Sequence, residues 1–272
     1  MAMIYEPKGK AREYSPLSAN FYSGCNHGCV YCYAPGIRCQ TSEQYLKVVP
    51  RRNALQEFER DCKKNYGTNK AVLFCFMTDP YNSLEKELGI TREALKIALK
   101  HHIPIQVLTK STLVLRDIDV MKKFGTSINV GMTLTASKDS TSKEWEPNAS
   151  LPQERLDALK TLKENGIATW ASFEPVYKPE ESLEMIKRSL EFVDMYKVGK
   201  INNYRGVDKT IDWNDFLEKA ITILRENHKK VYIKHDLRVA AEKVKLYGNE
   251  VLMDEFLPDV FGKETDLFGG EL

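Results

Sequence analysis

Three cysteines within eight residues constrain this chain more than any other feature of its sequence. Cys25, Cys29 and Cys32 form a C-x3-C-x2-C pattern in one short stretch. An odd number of thiols in a tight loop cannot pair off completely as disulfides, whereas closely spaced cysteines are typical metal ligands. The other cysteines, at positions 39, 62 and 75, have no short spacing between them. The sequence therefore predicts one metal site, at this loop.

The spacing of the cysteine loop favours an iron–sulfur cluster. Three thiolates can hold three irons of a cubane [4Fe–4S] cluster, whose usual complement is four cysteines, so one iron would stay open to an outside molecule. The alternative from the residues alone is a zinc site made by the three cysteines and His27. Zinc sites more often use two Cys-x2-Cys units about ten or more residues apart, and only one such unit exists here.

The chain after Cys32 alternates short apolar runs with segments of helical periodicity. The predicted strands lie near 18–23, 71–76, 104–109, 127–133, 168–173, 194–199 and 230–234. The predicted helices lie near 51–65, 91–101, 116–123, 151–165, 179–192, 212–227 and 238–247. Ser150 and Gln153 are spaced as a capping box for the fourth of these helices. Such alternation implies parallel strands, in a complete or partial TIM-type α/β barrel or, as the alternative, in a doubly wound open sheet.

Composition and charge exclude few partners but do argue against a membrane protein. Forty basic against 38 acidic residues leave a net charge of +2, which neither indicates nor excludes a nucleic-acid partner. The longest apolar run, Ala71–Met77, is far shorter than the roughly 18 residues that cross a bilayer. We expect a cytoplasmic protein without a secretory segment and with no membrane partner. We also expect a single domain over residues 1–254, followed by an exposed or docked tail over 255–272.

Polar side chains follow every predicted strand. In a parallel barrel, the residues just after the strands share the end that carries the active site. Those after the second to fourth strands are Thr78, Asp79, Tyr81, Thr109, Lys110, Ser111, Thr133 and Thr135. Those after the fifth to seventh strands are Glu174, Lys200, Asn202, Asn203, Lys234, His235 and Asp236. The candidates to line a substrate pocket are Tyr81, Glu174, Lys200, Asn202 and Lys234.

The cysteine loop resembles that of the radical S-adenosylmethionine superfamily. Its C-x3-C-x-aromatic-C pattern includes Tyr31 and follows a strand that opens a series of strand–helix units. The resemblance implies a partial (β/α)6-type barrel, a [4Fe–4S] cluster, and S-adenosylmethionine bound to the open iron. It also implies reductive cleavage of S-adenosylmethionine to methionine and a 5′-deoxyadenosyl radical, which abstracts hydrogen from a substrate. Reduced flavodoxin or ferredoxin is the electron donor that it implies.

The same resemblance assigns cofactor roles to residues of this chain. Tyr31 is expected near the adenine, while Thr78 and Asp79 stand where the superfamily binds the methionine amino group. Lys110 is expected to meet the methionine carboxylate, because an anion in a partly dry site favours a cation beside it. Thr133 and Thr135 are expected at the ribose hydroxyls.

A second set of motifs is similar to the spore photoproduct lyase branch of that superfamily. These motifs are Phe76–Tyr81, Leu108–Ser111, Val114–Asp117, Trp145–Pro147, the helix with Arg155, Glu174–Val176, Val198–Lys200 and Ile233–Lys234. In those lyases a cysteine returns a hydrogen atom to the product, and the matching position here is Phe76. Cys75 is expected to face the surrounding helices, because adjacent strand residues point to opposite faces. The resemblance therefore supports a radical mechanism more than it supports thymine-dimer repair.

Three function classes follow. The first is a radical S-adenosylmethionine enzyme acting on an unidentified substrate, for which a nucleic acid or nucleotide is one candidate. The second is an iron–sulfur electron-transfer or sensing protein, although such a carrier usually supplies four protein ligands. The third is a zinc-stabilised nucleic-acid module, based on the mixed basic and aromatic stretches 63–70 and 229–238. A charge run of that kind is usually a solvated face.

The acidic tail contains a short motif of its own. Asp266, Leu267 and Phe268 resemble the tail motif by which bacterial replication and repair proteins bind the sliding clamp, although that motif usually begins with Gln. Two large apolar side chains of this kind can anchor a short peptide in a pocket. The alternative is that they dock on this protein's own surface and cover the edge of a partial barrel.

Overall fold

The computed structural model describes residues 2–202, 204–253 and 256–261. Its strands are β1 (Ile4–Tyr5), β2 (Leu17–Ala19), β3 (Tyr22–Ser23), β4 (Val49–Pro50), β5 (Val72–Phe74), β6 (Ile105–Thr109), β7 (Ile128–Thr133), β8 (Ala168–Val176), β9 (Met195–Lys200) and β10 (Lys230–Ile233). Its helices are α1 (Ala34–Ile37), α2 (Ser42–Tyr45), α3 (Ala54–Lys64), α4 (Glu85–Leu88), α5 (Ile90–Lys100), α6 (Ile118–Met121), α7 (Asp139–Trp145), α8 (Pro152–Glu164), α9 (Pro179–Ser189), α10 (Trp213–Glu226) and α11 (His235–Ala240).

Eight of these strands form one sheet, in the order β1-β2-β5-β6-β7-β8-β9-β10. β1 is antiparallel to β2, and every other neighbouring pair in the sheet is parallel. The strand order follows the chain without reversal, as in a barrel, whereas a doubly wound sheet reverses its order at a switch point. The predicted partial barrel of parallel strands is therefore confirmed, and the doubly wound alternative is wrong.

The strands place their side chains alternately inside and outside the barrel. Leu73, Leu108 and Trp170 pack together in the interior. Phe74 and Val107, each next to one of them in sequence, pack outward against the helices. This alternation follows from the two-residue period of a strand and explains why the predicted strands read as continuous apolar runs.

The longest helix shows how the sequence defines these outer elements. The side chain of Asp212 accepts hydrogen bonds from the backbone N–H groups of Asn214 at 3.0 Å and Asp215 at 3.1 Å, which caps the start of α10. From Phe216 to Leu224 the helix buries residues three or four apart, a spacing that forms a single apolar stripe. The predicted helix near 212–227 is confirmed.

Two predicted helices and one predicted cap differ from the structure. The helix expected near 238–247 is wrong, since α11 ends at Ala240. The helix expected near 116–123 is only the short α6 between two 3-10 segments. The capping box of Ser150 and Gln153 is also wrong: the carboxylate of Glu154 accepts the Leu151 N–H at 2.7 Å, and α8 begins one residue later than the box requires.

The predicted strand near 18–23 splits into two. β2 ends at Ala19 inside the barrel sheet, and β3 leaves it to pair with β4 in an antiparallel ribbon. This departure starts the chain on its path around the cysteine loop.

The segment before the first barrel strand enters the barrel. Tyr14 lies in the interior cluster, just after a 3-10 turn over Gly9–Glu13. The carboxylate of Glu13 accepts hydrogen bonds from the Tyr232 hydroxyl at 2.9 Å and from the His235 N–H at 2.7 Å. The N-terminal segment is thereby connected to the last strand, β10. In the described sheet β1 and β10 lie at opposite ends of the strand order and do not pair.

A segment after the last strand closes the opposite end of the interior. Phe256 is fully buried, and its carbonyl oxygen accepts hydrogen bonds from the side-chain amides of Gln106 at 3.2 Å and Asn129 at 2.9 Å. Phe261 stacks on the ring of His102 with 5.1 Å between centroids. The clamp-like residues 266–268 lie outside the described part of the chain. Among the described helices, none has the length and apolarity needed to span a bilayer.

Candidate active site

The cysteine loop leaves β3 in a curve that two glycines permit. Gly24 and Gly28 have φ angles of +80° and +69°, which side chains rarely adopt. A Cβ atom on Gly24 would also lie 2.5 Å from the carbonyl oxygen of Lys47, and one on Gly28 would lie 3.2 Å from Pro147. The loop is thus packed tightly between two segments, one that includes Lys47 and one that includes Pro147.

The three thiols of the loop lie close enough to influence one another. Burial is the main cause that raises the pKa of Cys25 to about 11 and that of Cys29 to about 12, and the charges of Asp79, Glu146 and the other loop thiols contribute to these values. The ammonium of Lys110 acts in the other direction on Cys29 and Cys32. Without a metal these thiols are neutral, and a metal that binds them displaces their protons.

This arrangement fits a cubane cluster better than a zinc ion. Over the described ranges, no three His, Cys, Asp or Glu side chains converge on a point where one metal ion could sit. A cubane does not need such convergence, because each thiolate binds its own iron. His27, the fourth ligand of the zinc alternative, faces elsewhere: its two ring nitrogens lie 3.0 Å from the Asp79 carboxylate and 3.2 Å from the Asn148 carbonyl oxygen.

Asp79 anchors the cysteine loop to the sheet. Its carboxylate accepts hydrogen bonds from Thr109 Oγ1 at 2.6 Å and from the backbone N–H groups of Lys110 and Tyr81, each at 2.8 Å, besides its contact with His27. Burial alone would raise the pKa of Asp79, but the His27 ring and these hydrogen bonds lower it to about 2. The carboxylate expected at the methionine amino group is thus already occupied by protein partners.

Two more predicted residues have protein partners of their own. Thr78 Oγ1 donates to the carbonyl oxygen of Gly24 at 2.6 Å, so it too supports the cysteine loop. Tyr81 is buried in the core between sheet and helices, where its hydroxyl donates to Asp117 at 3.1 Å. Because that position lies outside the barrel interior, the structure does not place Tyr81 in the predicted substrate pocket.

A buried carboxylate, Glu146, joins the cofactor candidates on the other side of the loop. It pairs with the Arg155 guanidinium at 2.5 Å and lies 4.0 Å from the Lys110 ammonium. It accepts hydrogen bonds from the Tyr31 hydroxyl and, at 2.9 Å, from Thr135 Oγ1. Glu146 belongs to the Trp145–Pro147 motif, but the sequence does not reveal its role as a buried partner, because a glutamate after a helix carries no signal of burial.

The ion pair of Glu146 also fixes the neighbouring strand ends. Arg155 donates to the carbonyl oxygens of Thr133 at 2.9 Å and Ser150 at 2.7 Å, and the Ser150 N–H donates to the Lys110 carbonyl oxygen at 3.0 Å. Two cations share the single carboxylate of Glu146, so this buried group has a net charge of +1. It is suited to receive an anion beside Lys110.

Aromatic rings surround the outer side of this group. Trp145 and Tyr177 stack with 4.0 Å between ring centroids, and Tyr31 and Tyr204 lie within 6.5 Å of Trp145. A cavity of about 240 Å³ opens beside them, lined by Val30, Glu144, Trp145, Tyr204, Arg205 and Val207.

A second polar group lies in the barrel interior. Lys234 Nζ is 2.5 Å from the Glu174 carboxylate and 4.4 Å from the centre of the Tyr14 ring. The Tyr14 hydroxyl donates to Glu174 and is 3.0 Å from Ser172 Oγ. The structure therefore brings Glu174 and Lys234 together, as expected for a shared pocket. It also adds Tyr14, which could not be found among the residues that follow strands because it precedes the first barrel strand.

Two other pocket candidates form a separate contact nearby. Lys200 Nζ donates to Asn202 Oδ1 at 3.1 Å and to the Ile201 carbonyl oxygen at 3.2 Å, and lies 3.8 Å from Asp208. These residues follow β9, next to the strand that carries Lys234. They belong to the same rim but share no hydrogen bond with Glu174.

The expectation for Cys75 is wrong. Cys75 and Phe76 both pack against the interior cluster, and the Phe76 ring meets the Tyr14 ring at 5.5 Å. Phe76 has a φ of +100°, a region that side chains rarely adopt, so the strand alternation stops there and two adjacent residues face the interior. Burial raises the pKa of Cys75 to about 12, which keeps it a neutral thiol.

Comparison with known proteins agrees with these features. The family model described as the radical SAM superfamily matches residues 19–193. An uncharacterized protein of Methanocaldococcus jannaschii is 37% identical over 161 residues, which are 58% of this chain and 59% of that protein. The chain thus spans less than two thirds of the length of this relative.

Solved structures share the fold, among them the following two. Spore photoproduct lyase with bound S-adenosylmethionine and dinucleoside spore photoproduct has a TM-score of 0.65 at 12% identity, covering 85% of this chain and 78% of that one. SuiB of Streptococcus suis, bound to S-adenosylmethionine, has a TM-score of 0.59 at 15% identity, covering 85% and 53%. At such identities the likeness concerns the fold alone.

Proposed function

Because this chain belongs to the radical S-adenosylmethionine superfamily, we propose that it holds a [4Fe–4S] cluster on Cys25, Cys29 and Cys32 and binds S-adenosylmethionine at the open iron. When bound, this pair supplies reductive cleavage to methionine and a 5′-deoxyadenosyl radical, which abstracts hydrogen from a substrate. The observation that carries the proposal is Lys110, a partly buried cation whose charge acts on two of the loop thiols and is only partly compensated by Glu146.

The protein's part in this chemistry is to bind and orient. Lys110 is positioned to take the methionine carboxylate, since a charge-assisted hydrogen bond is strong where water is scarce. Glu146 holds the Lys110 ammonium and the Tyr31 hydroxyl near the cysteine loop. Asp79 and Thr78 hold the loop from the opposite side through His27 and Gly24. Because the side chains of Asp79 and Thr78 are engaged in these contacts, the methionine amino group would bind to groups of the cysteine loop other than these two.

The interior group of Tyr14, Glu174 and Lys234 is the proposed substrate side. Glu174 and Lys234 lie near the carboxyl ends of their strands, on the same rim as the cysteine loop, and with Tyr14 they offer both hydrogen-bond donors and acceptors. A nucleotide or nucleic acid is the substrate class that we propose, because nucleobases carry such pairs of donors and acceptors. The dinucleoside bound by the structurally similar lyase supports this class.

The cofactor chemistry is tested by anaerobic reconstitution with iron and sulfide, reduction with dithionite, and chromatography for 5′-deoxyadenosine and methionine. We expect both products in equal amounts. Cys29→Ala should abolish them, while the matched variant Cys39→Ala, which changes an exposed cysteine outside the loop, should not. A protein with a full cluster that forms neither product would be an electron carrier or sensor instead.

The substrate class is tested by the rate of 5′-deoxyadenosine formation with single-stranded DNA, duplex DNA, ultraviolet-irradiated DNA or RNA. The true class should accelerate formation over the rate without substrate. Glu174→Gln should remove the acceleration and keep the unstimulated rate, whereas the exposed Glu184→Gln should keep both. If no nucleic acid changes the rate, the proposed substrate class is wrong.

A further inference from the structure

Two fully buried carboxylates lie among the side chains between the sheet and the helices. Glu85 begins α4, and Asp117 ends the 3-10 turn Thr112–Asp117. Neither residue follows a strand directly, and neither has a part in the chemistry described so far. Burying a carboxylate costs free energy unless it is paired and hydrogen-bonded. The partners of these two groups therefore indicate which parts of the chain they hold.

Arg116 joins the two carboxylates. Its guanidinium donates to Glu85 Oε1 at 2.6 Å and to both carboxylate oxygens of Asp117, at 2.8 and 2.9 Å. Glu85 also accepts the Tyr22 hydroxyl at 2.5 Å. Asp117 likewise accepts the Tyr81 hydroxyl at 3.1 Å. We call Tyr22, Tyr81, Glu85, Arg116 and Asp117 the buried network. Because a guanidinium is planar and rigid, the network fixes relative positions as well as charges.

The buried network joins the three segments that carry the cofactor candidates. Tyr22 lies in β3, the strand that leads directly into the cysteine loop. Tyr81 ends the turn of Asp79, whose carboxylate accepts the Tyr81 N–H at 2.8 Å. Arg116 belongs to the 3-10 turn that follows Lys110. One connected set of hydrogen bonds therefore sets the distances between the cysteine loop, the Asp79 turn and the Lys110 segment.

We propose that Glu85 and Asp117 are positioning residues, which hold the cysteine loop and Lys110 at the separation that orients S-adenosylmethionine for cleavage. The inference rests on the proposed function and deepens it. Both carboxylates act through their tyrosine and arginine partners. Because the protein's part in this chemistry is to bind and orient, a displacement of about 1 Å between these segments is enough to slow the reaction about a hundredfold.

The test compares three variants of the buried network with one matched control. Glu85→Gln and Asp117→Asn each remove one negative charge, and the milder Tyr22→Phe removes one hydroxyl and keeps the ring. The control is Glu250→Gln. Glu250 is also a buried carboxylate and accepts two hydrogen bonds from the Arg225 guanidinium, at 2.7 and 2.8 Å, but its 3-10 turn after α11 carries no cofactor candidate.

Two kinds of measurement are made on the full chain. Hydrogen exchange of the metal-free protein, followed by mass spectrometry, reports how firmly the cysteine loop and the Lys110 segment are held. On the reconstituted protein, the iron content and the dissociation constant for S-adenosylmethionine are measured. The values of kcat and KM for 5′-deoxyadenosine formation with dithionite are measured on the same samples.

We expect Glu85→Gln and Asp117→Asn to speed exchange in both segments, to keep the full iron content, and to lower kcat about tenfold or more, as misplaced reacting groups do. The dissociation constant and KM for S-adenosylmethionine should change less than kcat, because Lys110 keeps its charge. Tyr22→Phe should act in the same direction with a smaller effect, and it decides the question if the charge variants do not fold. Glu250→Gln should keep the wild-type exchange in these two segments and the wild-type kcat.

Three results overturn the inference. The first is a wild-type kcat in every network variant that has its full iron content. The second is an equal loss of kcat in Glu250→Gln, which would assign the effect to stability alone. The third is loss of iron from Tyr22→Phe, because the network would then hold the cluster ligands and not orient the cofactor. Failure of the proposed function looks different: the wild-type chain then forms no 5′-deoxyadenosine, while hydrogen exchange still separates the network variants from the control.

Discussion

Replacing Glu146 with Gln removes one negative charge from the buried group beside the cysteine loop and keeps the shape of the side chain. The carboxylate is fully buried, and the Arg155 side chain that pairs with it at 2.5 Å is only 2% exposed. Lys110 would lose the same partner. The buried guanidinium of Arg155 and the partly buried ammonium of Lys110 would then stand together without this counter-charge.

The expected cost follows from that burial. Removing one partner of a buried ion pair costs about 3–5 kcal/mol, because the other charge stays desolvated and unpaired. Gln can still accept hydrogen bonds from the Tyr31 and Thr135 hydroxyls, so the loss falls on the charge contacts. We therefore expect Glu146→Gln to lower the free energy of unfolding by about 3–5 kcal/mol.

Equilibrium urea unfolding, followed by circular dichroism under anaerobic conditions, measures this difference. The control is Glu184→Gln, whose carboxylate is exposed and pairs with Arg188 at 3.4 Å. That surface pair should be worth less than about 1 kcal/mol. A second comparison is the double variant of Glu146→Gln with Arg155→Met, which removes both charges and should recover part of the lost stability.

The difference should also depend on pH. Burial alone would raise the pKa of Glu146, but the charges of Arg155 and Lys110 lower it below its ordinary value. The contribution of the carboxylate to stability is then fully present above the unfolded pKa of about 4.3 and is lost as the pH falls through the lowered folded value. Two results would refute the charge argument. One is a smaller loss in the free energy of unfolding for Glu146→Gln than for the surface control, and the other is a loss in the double variant equal to the sum of the losses in the two single variants.

Three further predictions concern the cofactor and the tail. Replacing any one of the three loop cysteines with Ala should remove the cluster absorbance near 400 nm, and a variant that keeps it would disprove that ligand. Lys110→Ala should weaken binding of S-adenosylmethionine about ten- to a hundredfold, the value of a charge-assisted hydrogen bond, with the absorbance intact; an unchanged dissociation constant would place Lys110 elsewhere. A peptide spanning Lys263–Leu272 should bind the sliding clamp in calorimetry and lose binding after Leu267→Ala and Phe268→Ala. A peptide that does not bind would leave this segment without that partner.

The parts of the site that depend on strand period were predictable. Glu174 and Lys234 meet because they lie near the carboxyl ends of β8 and β10, on either side of β9 in a parallel barrel, and Lys110 reaches the cysteine loop from the end of β6 in the same way. An apolar run locates a strand and its end, and in a parallel barrel the carboxyl ends of the strands share one rim. The positions of these residues follow from that geometry. The order of the strands, and hence the barrel, follows from the same regularity.

The parts that depend on turns and long-range contacts were not predictable. Tyr81 follows β5 as expected, but its turn carries it outward to Asp117. Cys75 faces the interior because it continues the alternation of Leu73 and Phe74, and Phe76 faces the interior beside it because its positive φ ends that alternation, which no residue type in that stretch signals. Tyr14 and Glu146 act through partners more than 100 positions away, at Glu174 and Tyr31 respectively, and no local pattern reports such a contact.

The position of Phe256 implies an order of events during synthesis. Its carbonyl oxygen is the partner of two amides, on Gln106 and Asn129, that lie deep inside the barrel. On a ribosome all the barrel strands leave the exit tunnel before this residue does. Until then those amides can bond only to water, so the nascent barrel keeps a hydrated interior. This end of the barrel interior is closed only when the segment after the last strand arrives there.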